Sequence, residues 1–226
     1  MTEAEWLECD DWALMQPHFG ARATDRVLRL FACACCRTIS HLFTEPSLIE
    51  SVEVAERYAD GLNSVAELRS ARTNAHSVRE AAEIAIAQGA FAHEYPPSAV
   101  QFAADTLEHW DMGHAAGVAY ADAEWALLTA GGEECESILK LLSALIHDLF
   151  GNPFCAVRFD PAWRTDTALA IARQMYESRE FGAAPILADA LQDAGCDADD
   201  LLNHLRDPHA AHVRGCWALD LVLGKE

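Results

Sequence analysis

Apolar residues recur three and four positions apart along most of the chain, the spacing that gathers them on one face of a helix. Thr2 with Glu5 has the form of a capping box and opens a short helix through Trp6 and Leu7. A second short helix carries Trp12 and Met15 until Pro17 and Gly20 stop it. Thr24 caps an amphipathic helix through Val27, Leu28, Leu30, Phe31, Ile39, Leu42 and Phe43. Pro46 restarts the chain, and Val52, Val54, Ala55 and Tyr58 carry the next helix to Gly61, a natural stop. Ser64 with Glu67 is a second capping box, and the helix it opens extends by pattern to about His93.

Pro96-Pro97 is a hard break, after which the pattern predicts one long helix from Ser98 through Phe102, Leu107, Trp110, Tyr120 and Trp125 to Leu128. Gly113 and Gly117 weaken its middle. Gly131-Gly132 is a turn, and Glu133 to Phe150 is the most apolar helix of the chain, closed by Gly151. The rhythm changes at Gly151-Asn152-Pro153. Phe154 to Phe159 reads as extended, and Asp160-Pro161 starts a one-turn helix in cap-then-Pro order. Four short helices follow, over Thr165–Ser178, Ala184–Ala194, Asp199–Arg206 and Ala210–Leu223. The expected fold is all-α: an antiparallel helical bundle over 1–151, then a compact unit of short helices over 152–226 packed on it.

Composition narrows the function. Half of the 226 residues are apolar, enough for a real core. Sixteen Lys and Arg against 36 Asp and Glu give a formal charge of −20, a field that repels phosphate backbones. Direct nucleic-acid binding is therefore not expected, whereas a basic or apolar protein partner is compatible with such a surface. Eight cysteines within helical patterns fit reduced thiols better than a disulfide scaffold. The acidic Met1–Trp6 stretch lacks the apolar core of a secretion signal, and no apolar run approaches bilayer length. These features predict a soluble, cytoplasmic protein without a membrane partner.

Candidate chemistry gathers where sulfur and imidazole do. His212 and Cys216, read as i and i+4 on one helical face, have the spacing at which two side chains meet one ion. With Cys196 and His204 they make Cys-x7-His-x7-His-x3-Cys, a legitimate tetrahedral zinc set but looser than the usual Cys-x2-Cys pairs. Cys33 and Cys36 share a helix face and offer two further thiolates; as small hydrophobes between Phe31 and Ile39 they equally fit a core. Arg37 or Arg214 beside Cys36 or Cys216 would suit an activated thiol. Asp111-x-x-His114 is the nearest approach to a di-iron motif, while Glu53-x-x-Glu56 and Glu80-x-x-Glu83 read as solvent-facing. No phosphate loop, dinucleotide glycine motif or nucleophile elbow occurs.

Several stretches carry a resemblance: Met1–Leu7, Arg29-Leu30-Phe31-Ala32 to Cys35-Cys36-Arg37, Val54–Gly61, Phe150–Phe154, Pro185–Leu191 and His212–Trp217. Through them the chain resembles a multi-copy family of planctomycete-type bacterial proteins. The resemblance implies no particular activity, so no residue role is carried over, and residues 71–136 lie outside it. The leading expectation is a non-catalytic soluble binding or adaptor module; the alternatives are a metalloprotein with a zinc-type Cys/His site and a thiol-dependent enzyme.

Overall fold

Both capping boxes form where the sequence places them. In this computed structural model, which describes residues 1–89, 95–104, 112–130 and 135–225, the chain opens with α1 (Glu3–Glu8), α2 (Trp12–Met15), α3 (Asp25–Thr38) and α4 (Ser47–Ala59). It continues through α5 (Val65–Ala87), α6 (Tyr95–Ala103), α7 (Met112–Ala130) and α8 (Cys135–Phe150). Then come α9 (Asp166–Ser178), α10 (Ala184–Asp193), α11 (Asp199–Arg206) and α12 (Trp217–Leu223). The fold is all-α, with no strand among the described residues. None of the described helices is long and apolar enough to cross a membrane.

Four helix boundaries differ from the pattern. α3 ends at Thr38 instead of running through Phe43, and Ser40–Leu42 form a separate 3-10 turn. α5 stops at Ala87 rather than near His93, because Gly89 turns the chain at φ +82° just past the Gln88 cap; His93 itself lies outside the described residues. The single helix expected over Ser98–Leu128 is two, α6 and α7. They pack on each other and on α3, which one continuous rod cannot do. Pro96 and Pro97 do not precede α6 but fill its first turn, where a missing N–H breaks no helical bond. The last helix begins at Trp217, not Ala210. Gly131-Gly132 and Asp111 fall outside the described residues.

The chain divides into two compact units. One comprises Asp10–Leu14 and Ala23–Ser143. In it Trp12 stacks on Phe31 (ring centroids 4.7 Å apart) and on Tyr120 (5.8 Å). Gly117 is needed there: a Cβ would lie 3.0 Å from Trp12 Nε1. Buried Arg29 donates to the Ala103 carbonyl at 2.8 Å, satisfying a charge that the core could not otherwise hold. Glu56 departs from the solvent-facing reading. It is 2% exposed, and both its oxygens accept from Arg37, at 2.5 and 2.8 Å.

The other unit comprises Met1–Cys9, Met15–Arg22 and Ala144–Glu226. It thus joins the final short helices to the first helix and the end of α8. Trp6, fully buried, packs edge-on against Phe19 and His147. Arg22 donates through Nε and Nη2 to the Leu149 carbonyl at 3.2 and 3.0 Å, closing the C-terminal end of α8. Arg164 does the same for α12, donating to Leu221 and Val222 at 2.9 and 3.1 Å. Gly151 follows α8 at φ +66°, and a Cβ there would meet Trp217 Cγ at 3.2 Å.

That glycine gives a direct test of the packing. Gly151→Ala combines left-handed strain with a ring collision and should cost about 1–3 kcal/mol. Gly182→Ala, built into open space, should stay within about 0.5 kcal/mol. Urea unfolding of both proteins checks the contrast, and equal midpoints would refute it.

Candidate metal centre

A carboxylate in the last turn of a helix faces the negative end of the helix dipole. Asp148 sits in the last turn of α8 and is 1% exposed. Burial and dipole both disfavour its charge, so the residue demands positive or proton-donating partners. The C-terminal segment supplies them. His204 Nε2 lies 3.1 Å from Asp148 Oδ1, and His212 Nδ1 lies 3.2 Å from the same oxygen. The Val213 N–H donates to Oδ2 at 2.9 Å. Burial alone would push the Asp148 carboxyl up; the hydrogen bonds from His204 and His212, with their charge, outweigh it and hold the pKa below its ordinary value.

This anchoring explains why residues 210–216 are not helical. Asp207 starts a turn by accepting the His209 N–H at 2.8 Å. Val213 then spends its N–H on Asp148 rather than on a helical carbonyl, and Gly215 adopts φ +95°. Cys216 caps α12. His212 and Cys216 therefore meet across a loop turn, not along a helix face as their spacing suggested.

Cys216 Sγ completes the group at 3.3 Å from His204 Nε2 and 3.8 Å from His212 Nδ1. Burial is the main force holding the Cys216 thiol well above its usual pKa, with the Asp148 charge adding to it. The two imidazole rings meet edge to face at 4.9 Å, and the His204 ring lies 5.0 Å from that of Trp217. His212 Nε2 is buried without a hydrogen-bond partner, so this ring is held through Nδ1 alone. One donor atom from each of Asp148, His204, His212 and Cys216 lies within 4.8 Å of the other three.

These separations match a metal's needs. Zn–N bonds of about 2.0–2.1 Å and a Zn–S bond of about 2.3 Å set tetrahedral edges of roughly 3.3–3.6 Å. Four of the six edges, at 3.1, 3.2, 3.3 and 3.8 Å, bracket that range, and the other two lie within 4.8 Å. One thiolate, two imidazoles and one carboxylate form a borderline-soft set suited to zinc and not to calcium or magnesium.

No family model, curated protein or solved structure matches this chain. The geometry therefore stands by itself.

Of the residues singled out by sequence, His204, His212 and Cys216 converge. Cys196 stands outside the group: it lies in the apolar core of the same unit, and its N–H closes α10 on the Leu191 carbonyl at 2.9 Å. Its place is taken by Asp148. Cys33 and Cys36 belong to the other unit, buried in α3. Burial first, then the neighbouring Cys33 and Cys35, push the Cys36 thiol well up, and the Arg37 charge, spent on Glu56, offsets little of this. Neither Cys36 nor Cys216 has the surroundings of an activated thiolate. The sequence did hold a signal for Asp148: a lone acid between Ile146 and Leu149 at the end of the most apolar helix.

Asp148→Asn keeps the shape but removes the charge and half the acceptors. In chelator-treated protein it should cost about 1–3 kcal/mol, because buried donors of His204, His212 or Val213 lose their acceptor. An unchanged urea midpoint would show that the carboxylate does not hold the loop.

Proposed function

We propose that this protein is a metal-binding protein whose Asp148, His204, His212 and Cys216 hold one zinc ion in a structural role. The observation that carries the reading is the buried carboxylate of Asp148, set against a helix C-terminus and ringed by three soft donors at ligand spacing. Zinc with one carboxylate, one thiolate and two neutral imidazoles is a charge-neutral centre, which a protein interior tolerates far better than an unpaired anion. On binding, Cys216 gives up its thiol proton to solvent, and His204 Nε2 and His212 Nδ1 give up the protons they share with Asp148, so that each offers a free lone pair and the ion takes over the charge balance. All four positions are filled by side chains, the arrangement of a structural rather than a catalytic zinc site. The ion would pin α8, α11, the 207–216 loop and the start of α12 to one point. His212–Trp217, one of the stretches by which the chain resembles the planctomycete family, supplies two of the ligands.

The test is metal content. Protein purified without a His tag should carry about one equivalent of zinc by mass spectrometry, and Cys216→Ser or His204→Ala should lose most of it. Less than about a tenth of an equivalent in the parent protein, as expected for adventitious metal, would overturn the reading. Zinc at a hundredfold excess over its Kd should also raise stability by about 2.7 kcal/mol.

The binding-module reading keeps one observation of its own. The unit that contains α5 exposes Leu62, Val65, Ile84 and Ile86 on a chain of charge −20. Apolar groups amid acidic residues suit a basic, amphipathic partner segment. A zinc-loaded protein that emerged as a monomer and captured nothing in pull-down would count against it.

A further inference from the structure

Of the four ligand side chains, that of His204 is the most exposed. Asp148 has 1% of its side chain exposed and His212 8%, and Cys216 is buried; His204 has 17%. His204 is also the one ligand among the lining residues of a cleft of about 430 Å³. Glu3 and Trp6 of α1, His147 and Asn152 around the end of α8, and Asp200 of α11 form the walls beside it. Two of these are carboxylates. Asp200 stands one helical turn before His204 on α11, so both project on the same side. Glu3 is held in place by the Asn152 side-chain amide, which donates to it at 2.6 Å.

We propose that this cleft is the route by which the divalent cation reaches and leaves the centre, with Asp200 as the carboxylate that draws it toward His204. The inference rests on the metal-binding reading and adds how that site is supplied. A cleft lined with acids and low-dielectric aromatic walls concentrates cations, and His204 is one of the residues that line this one. Entry from the side of the 207–216 loop would in addition break the Val213 hydrogen bond to Asp148. Asp200 is exposed and outside the ligand group, so it acts on the rate of arrival and not on the number of ions held.

The experiment mixes chelator-stripped protein with Co²⁺ in a stopped-flow instrument and follows the visible absorption that thiolate and imidazole ligation produces. Asp200→Asn should slow loading by about threefold or more, and Asp200→Lys should slow it further, both reaching the parent plateau. Asp193→Asn, an equal charge change on an exposed part of α10, should load at the parent rate. The differences should shrink as salt screens the cleft. Asp200 variants that load no more slowly than Asp193→Asn would overturn the route while leaving the metal site standing. A lower plateau in Asp200→Asn would overturn it by making Asp200 a ligand. No cobalt spectrum in the parent protein would overturn both readings.

Discussion

The unit built around the C-terminal helices depends on one buried charge. Asp148 is a carboxylate without water, at the wrong end of a helix dipole, and everything near it is arranged to make that bearable. Its two oxygens take two imidazoles and a backbone N–H from residues 56 to 65 positions away in sequence. A loop that short helices could not otherwise order is thereby fixed, and α12 starts at a defined point. The same arrangement brings Cys216 Sγ into the group. Structure and candidate chemistry follow from a single electrostatic demand.

Around that centre the unit closes its helix ends with arginines rather than with length. Arg22 and Arg164 each direct a guanidinium at the last carbonyls of a helix, α8 and α12. α12, with seven residues, has little stability alone, so its terminus is satisfied by a neighbour. The other unit solves its problem differently. α5 and α7 bury Ala-rich faces, the rings of Trp12, Phe31 and Tyr120 cluster with centroids within 6.3 Å of one another, and charges that enter the core, such as Arg29 and Glu56, arrive with partners. Cys33, Cys35 and Cys36 serve there as small apolar side chains.

Local signals were legible to the residue. Thr2 with Glu5, Ser64 with Glu67, Thr24 and the Asp160-Pro161 start all function as caps, because a cap needs only residues three apart. Asp199–Arg206 was readable in full from its amphipathic spacing, although its N-cap residue, Ala198, makes no side-chain bond. Signals that compete with packing were not. Gly117 reads as a weak helix position until Trp12 is seen against it, and the break between α6 and α7 serves a contact between those two helices. The span 210–216 reads as helix until Asp148 claims the Val213 N–H.

For the candidate site, the chain on its own marked His204, His212 and Cys216 by their chemistry, within a wider set of cysteines and histidines that held no carboxylate. Tertiary structure decided the rest. It set Cys196 aside in the core and put Asp148 in the group, although Asp148 lies 56 residues before the nearest of its partners. It also replaced a helical face by a loop turn as the means by which His212 and Cys216 meet. The physical reason is range. Helix caps and amphipathic faces are settled within a few residues, whereas the cost of a buried charge is settled only by whatever the whole fold brings within about 3 Å of it.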